Sequence, residues 1–242
     1  AALDAEITLA HPRLPEPLDG IRVVQLSDLH VGPQTSRSQL ARIADATRRA
    51  EPHLIAYTGD QVDDHPADID VFASAFGALT APLGVYAIPG NHDVYAGWPE
   101  VRRRMEAMHV TVLVNESIPL MHNGASFHLA GTGDPAARQM GLSSGAPDVE
   151  RTLASVPREA FCIVLAHNPA LFPALAARGA DVVLSGHTHH GQFSIPSRNW
   201  SLASVFLEYA MGTYEPAGAL LYISPGTNFW GISFRIGAWF LS

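Results

Sequence analysis

Three of the four residues from His187 to His190, in VLSGHTHHGQFSIP, are histidines, a density of imidazole that suits metal binding or proton transfer. Four earlier segments carry related side chains: Asp28 and His30 in SDLH, Asp60 and Asp63 in GDQVD, Asn91 and His92 in GNHD, and His167 in HNP. Carboxylate, carboxamide and imidazole are the donors of a hard-to-borderline divalent ion. No thiolate competes with them. The single cysteine, Cys162, lies in the apolar run FCIVLA and is expected to be a small buried hydrophobe. In an extended segment residues i and i+2 point to the same side. On that reading Asp28 and His30 grip one ion, His187 and His189 both face the site, and Thr188 points away. His190 then has the wrong parity for a ligand and belongs to the wall around the site. Gly59, Gly90 and Gly186 stand beside the clusters, where a strand must turn sharply and let backbone come close to the ions.

What positions these groups is a recurring unit of short apolar strand, polar loop and helix. IRVVQL runs into SDLH, HLIAY into TGDQVDD, GVYAI into PGNHD, FCIVLA into HNP and DVVLS into GHTHH. Helices are expected over SRSQLARIADATRRA, capped by Thr35 or Ser36 with Leu40, Ile43, Ala44 and Thr47 on one face, and over DIDVFASAFGAL, WPEVRRRMEAM and ALFPALAA. VTVLV and SFHLA read as shorter strands, and GALLYIS and GISFRI return to strand near the end. Alternating strands and helices imply an α/β fold, and the mixture implies more than one sheet: a two-sheet β-sandwich flanked by helices. Ligands in such folds collect beyond the carboxyl ends of strands, where neighbouring loops converge. No repeat or linker divides residues 1–242, which read as one domain.

The net charge is −8, and all 15 basic residues are arginine. That balance argues against a sequence-independent nucleic-acid binder, which needs a broad basic face, and two divalent cations would offset half of it. No apolar run reaches the ~18–20 residues of a membrane span. The start, AALDAEITLAHPRLPEPLDG, has neither an initiator methionine nor a signal pattern, so the chain reads as a processed or trimmed product. The expected setting is a soluble domain, cytoplasmic or peripheral to a membrane.

Taken in order, SDLH, GDQVD, GNHD, HNP and GHTH resemble the five motifs of the calcineurin-like metallophosphoesterase superfamily, and within it the bacterial branch of membrane-associated phosphoesterases and UDP-diacylglucosamine pyrophosphatases. The resemblance implies that Asp28, His30 and His189 hold one metal, that Asn91, His167 and His187 hold a second, and that Asp60 bridges them. The two ions would be manganese, iron or zinc. It implies hydrolysis of a phosphoester, most readily a phosphodiester or pyrophosphate, by a hydroxide bridging the ions, with His92 as acid to the leaving group and Asp63 orienting it. Asp64 reads as a solvated loop residue and Asp93 as a helix N-cap. A phosphomonoesterase, a phosphotriesterase and a non-catalytic scaffold on the same fold are the alternatives, the last disfavoured because every ligand and His92 are present.

Other histidine-rich hydrolases fit less well. The H-x-H-x-D-H of metallo-β-lactamases fails at Gly191 and Gln192, and neither H-E-x-x-H nor a P-loop occurs. For substrate contacts the sequence offers Arg138 and Arg198 in loops expected to shape the pocket. Arg102, Arg103 and Arg104 read as a solvated face. SVFLEYAMGTY and the terminal FRIGAWFLS are expected to pack as core, an acyl-chain wall and a membrane-touching edge being their alternatives. The substrate is thus a small-molecule or lipid-linked phosphoester.

Overall fold

The computed structural model describes residues 6–189, 194–195, 200–201 and 208–227. Strands β1 (Val23–Leu26), β2 (Leu54–Tyr57), β3 (Val85–Ala87) and β4 (Thr111–Val112) form a wholly parallel sheet in that order. The helices α1 (Arg37–Arg49), α2 (Ile69–Phe76) and α3 (Asn91–Ala107) make its crossovers. A second sheet is built from β5 (Glu116–His122), β6 (Ala125–Gly131), β7 (Cys162–Leu165) and β8 (Val182–Ser185). After a two-strand pair, β9 (Ser194–Ile195) with β10 (Trp200–Ser201), it is completed by β11 (Gly212–Tyr214) and β12 (Leu220–Ile223). Its order is β11-β12-β8-β7-β6-β5, parallel in the middle with an antiparallel strand at each edge. The short helices α5 (Val149–Leu153) and α6 (Phe172–Ala177) cover this sheet, whereas α4 (Pro135–Gln139) packs Ala136 and Ala137 into the layer of α3.

Period-two alternation sorts the strands into layers. Leu54 and Ala56 of β2 join Phe127, Leu129, Ile163, Leu165, Val182 and Leu184 between the sheets. Their neighbours Ile55 and Tyr57 face Leu40, Ile43, Phe72 and Phe76 on the helices. Cys162, Val164 and Val183 turn the other way, onto Leu153, Phe172 and Leu175. The result is helix, sheet, sheet, helix, which is the sandwich expected. Leu54, Phe127, Leu129 and Leu165 are 0 % exposed, and each such side chain contributes about 1.5–3 kcal/mol by leaving water.

The local expectations hold with two amendments. Ser36 caps α1, its hydroxyl accepting from Gln39 N–H. The α3 helix starts at Asn91 rather than at Trp98, with a left-handed break at Gly97 (φ 112°, ψ 73°). β5 is an addition: Glu116–His122 is a half-exposed edge strand that tolerates Pro119 because an edge residue need not donate on both sides. Asn123 and Gly124, both at positive φ, form the two-residue hairpin turn behind it. GISFRI and the terminal FRIGAWFLS lie outside the described residues.

Candidate metal centre

All five segments meet at one edge, the carboxyl ends of β1, β2 and β3 from the first sheet and of β7 and β8 from the second. Backbone pairing continues beyond the strands: Asp28 N–H donates to Gly59 O and His30 N–H to Asp60 O, each at 3.0 Å. Side chains join the two sheets. Gln25 Nε2 donates to Thr58 Oγ1 (2.8 Å) and to Ser185 O (2.9 Å), and His187 N–H donates to Asp28 Oδ1 (3.0 Å).

The extended-strand parity argument does not survive. Asp28, His30, Asp60, His187 and His189 all sit at positive φ, between 42° and 73°, and are five of nine such non-glycine residues among those described. Left-handed backbone costs these side chains about 1–2 kcal/mol each, and strain of this kind gathers at functional sites. The side chains converge because tight turns aim them, and not because they alternate along a strand. Thr188 does point elsewhere, its hydroxyl donating to Ala210 O at 2.5 Å. His190 lies outside the described residues.

Within the cluster the donors form two groups. Asp28, His30, Asp60 and His189 each offer an atom within 4.8 Å of the others, and all four are buried. His30 Nε2 and His189 Nε2 face one another at 2.9 Å, with Asp28 Oδ1 3.3 Å from the latter. Two imidazole nitrogens and carboxylate oxygens pointed inward at one spot are the chemistry of a cation cradle. In the second group Asn91 Oδ1 lies 3.2 Å from His167 Nε2 and 2.8 Å from His187 Nδ1. His167 Nδ1 donates to Thr58 O at 2.8 Å, which fixes the tautomer and turns Nε2 inward. Asp60 Oδ2 stands between the groups, 3.6 Å from His30 Nε2 and 3.2 Å from His167 Nε2. The donor set therefore fits divalent metal.

The charges follow from this crowding. Burial opposes ionisation of Asp60, yet the charge and hydrogen bond of His167, with His30 and His92, hold it well below the usual carboxylate range. Burial likewise works against protonated His167 and His30, but the carboxylates raise both: Asp60 foremost for His167, and Asp63 with Asp60 for His30. His187, desolvated and beside His167, is pushed down to about 4.

His92 and Asp63 lie next to the first group. His92 Nδ1 donates to Asp63 O at 3.1 Å and is 3.3 Å from Asp63 Oδ1. The same Oδ1 is 3.3 Å from His30 Nδ1, so one carboxylate serves both imidazoles.

Asp93 corrects the sequence reading most. The N-cap of α3 is Gly90, and Asp93, 0 % exposed, lies three residues into the helix. Its Oδ2 accepts from Asp60 N–H and Gly90 N–H, both at 2.8 Å, and its Oδ1 from Gln61 N–H (2.9 Å) and Val62 N–H (3.1 Å). Burial, reinforced by the charge of Asp60, pushes its carboxyl up to about 7, against the pull of the backbone donors. It ties the Asp60 loop to the Asn91 turn. The signal was available, since an acidic residue at the third helical position is a capping-box mark.

Glycine is required where the loops touch. A Cβ on Gly90 would lie 2.1 Å from Asp60 Oδ1, and one on Gly186 would lie 2.0 Å from Ser27 Oγ and 2.3 Å from Asp28 Oδ2. The close approach is thus to the side chains of the cluster.

Arg138 is exposed on α4 and donates to Pro147 O (3.2 Å). Arg198 lies outside the described residues. Arg102, Arg103 and Arg104 pair with Glu106, Glu100 and Asp70, as a solvated face should. Of SVFLEYAMGTY only the last part is described, where Tyr209 packs edge-on against Phe172 and Tyr214. His53 and His122 pack with tilted rings, centroids 4.6 Å apart, away from the cluster, and His11 bonds to Gly218 O. No described helix is long and apolar enough to cross a membrane.

Comparison with known proteins agrees with this geometry. A family profile described as calcineurin-like phosphoesterase matches residues 21–191. A transmembrane protein with metallophosphoesterase domain from Danio rerio is 34 % identical over 98 % of this chain and 54 % of its own. An uncharacterised metallophosphoesterase of Helicobacter pylori is 30 % identical over 89 % of this chain and 56 % of its own. The chain spans about half the length of these curated relatives. Among solved structures, the Haemophilus influenzae NAD nucleotidase superposes with a TM-score of 0.57 at 16 % identity, over 86 % of this chain and 45 % of its own. A dimetal phosphatase from Danio rerio does so at 0.55 and 11 %, over 86 % and 88 %. Both share the fold.

Proposed function

Because the chain belongs to the calcineurin-like phosphoesterase family, we propose that this metal-dependent hydrolase cleaves a phosphodiester or pyrophosphate bond in a small-molecule or lipid-linked substrate. The observation that carries the reading is the place of Asp60 between two sets of donors. Asp28, His30 and His189 would hold one ion, Asn91, His167 and His187 the other, and Asp60 both. Two ions bound there would supply Lewis acidity toward the phosphoryl oxygens and a water of lowered pKa.

The protein's own part is positioning and proton transfer. The backbone carbonyl of Asp63 accepts from Nδ1 of His92, and the Asp63 carboxylate lies 3.3 Å from the same nitrogen, so the proton to be passed on is the one on Nε2. As water adds to phosphorus, the bond to the leaving group breaks with its electron pair on the ester oxygen. That oxygen takes the His92 proton and departs as an alcohol or phosphate.

The test is a panel of mono-, di- and pyrophosphate esters, with and without acyl chains, assayed with manganese supplied. Faster turnover of diesters or pyrophosphates is expected. Preference for monoesters would overturn the reading, and equal rates with and without an acyl chain would remove the lipid-linked form of it. The chain 1–242 is read as one such domain.

A further inference from the structure

Tyr95 stands three residues after His92 and four after Asn91 at the start of α3, so it shares a face of the helix with each of them. Around Tyr95 the chain is buried: Asp93, Val94, Ala96 and Trp98 are all inside, while Tyr95 is 49 % exposed. Its ring meets that of His92 edge-on, with centroids 5.8 Å apart and planes at 68°. An unbroken helix would set Trp98 one turn above Tyr95 and cover it. The left-handed break at Gly97 prevents this, and Trp98 packs beside Gly145 instead. A Cβ at Gly97 would meet nothing within 4 Å, so crowding by neighbours does not account for glycine there, whereas the left-handed turn does. A large aromatic face is therefore held open next to the imidazole that serves the ester oxygen. Apolar aromatic surface beside a few placed polar groups is the make-up of a ligand subsite.

We infer that Tyr95 is a specificity-determining residue for the leaving group: a planar aromatic body carried on the ester oxygen, as in an aryl or nucleoside ester, lies against its ring. The inference rests on the phosphoesterase reading and on His92 as the group that protonates the departing oxygen. The bond broken is the one between phosphorus and that oxygen, whose electron pair takes the proton from His92 Nε2. The aromatic alcohol leaves from the Tyr95 side, and the phosphate monoester stays at the centre.

The experiment compares kcat/KM for methyl phenyl phosphate and methyl trifluoroethyl phosphate in the wild type, Tyr95→Ala and Tyr95→Phe, with manganese supplied. Taking the ratio of the two substrates within each variant, then across variants, cancels their intrinsic reactivities. Tyr95→Ala is expected to lower the phenyl-over-trifluoroethyl ratio about tenfold, the size of one base-on-aromatic stacking contact, and Tyr95→Phe to keep it within about twofold. An unchanged ratio in Tyr95→Ala overturns the inference. A second arm does not depend on turnover: calorimetric titration of the metal-supplied protein with phenylphosphonate and methylphosphonate. Tighter binding of the phenyl compound that disappears in Tyr95→Ala supports the platform even where no ester is hydrolysed, and equal affinities in the wild type refute it. A protein that hydrolyses nothing yet keeps the phenyl preference loses the phosphoesterase reading and retains the subsite.

Discussion

Replacing Asp93 with asparagine tests how the centre is held together. The carboxylate accepts four backbone N–H groups, two on each oxygen, at 2.8–3.1 Å. Asparagine keeps one accepting oxygen and presents an amide NH2, itself a donor, to the other two. Two buried N–H groups then lose their partner, at about 1–3 kcal/mol each, so Asp93→Asn should destabilise the metal-free protein by roughly 2–6 kcal/mol. Removing a buried charge offsets part of this, because a carboxyl pushed up to about 7 is costly to ionise inside the fold. A net loss of about 2–4 kcal/mol is expected, a fall in Tm of roughly 5–15 °C for a chain of this length. The chemical effect should be larger. Asp93 sets the distance between the Asp60 loop and the Asn91 turn, and a shift of about 1 Å there is enough for a hundredfold loss in kcat. The assay is urea denaturation in chelator, with metal content and kcat measured on the metal-supplied protein. An Asp93→Asn protein with wild-type stability and wild-type turnover would refute the clamp.

His92→Ala should retain its metal, read by elemental analysis, while kcat falls by roughly 10²–10⁴, the span of a general acid; full activity on a poor leaving group would sink the acid role. Gly90→Ala places a methyl 2.1 Å from Asp60 Oδ1 and should lower metal content and activity together, whereas metal content equal to wild type would show that the turn can yield. The Cys162 thiol, pushed up to about 12 by burial, makes an alkaline prediction. Its contribution is fully present below the unfolded thiol pKa of about 8.5 and is lost as pH rises toward 12, because only the unfolded chain ionises there. Between pH 8 and 10 the wild type should therefore lose about 2 kcal/mol more than Cys162→Ala in denaturant titrations, at about 1.4 kcal/mol per pH unit above 8.5; parallel losses would contradict the burial argument.

Much of the centre was legible because its residues are of rare kinds in one order. SDLH through GHTH named seven donors plus His92 and Asp63, and the structure draws all nine to one edge. The reason given for their convergence was wrong. Strand parity was assumed where the chain uses left-handed turns, and φ cannot be read from Asp and His, which seldom adopt such angles. Asp93 looked like a local cap because its partners, Gln61 and Val62, are distant in sequence. The β5 strand was missed for its Pro119 and exposed face, although Asn123-Gly124 marked the hairpin. Arg138 was placed at the substrate by loop proximity alone, and its guanidinium donates to the carbonyl of Pro147.

The link from Gln25 to Thr58 and Ser185 makes the centre a seam. Three of its loops belong to one sheet and two to the other, and the first donor group itself draws on both. Any shear of one sheet over the other must separate Asp28 from His187 and Asp60 from His167 before either sheet loses a strand. Heat or denaturant that loosens only the layer of side chains between the sheets should therefore release metal while secondary structure persists. The protein would inactivate ahead of its own unfolding, and its working temperature would be limited by the slip between two intact halves.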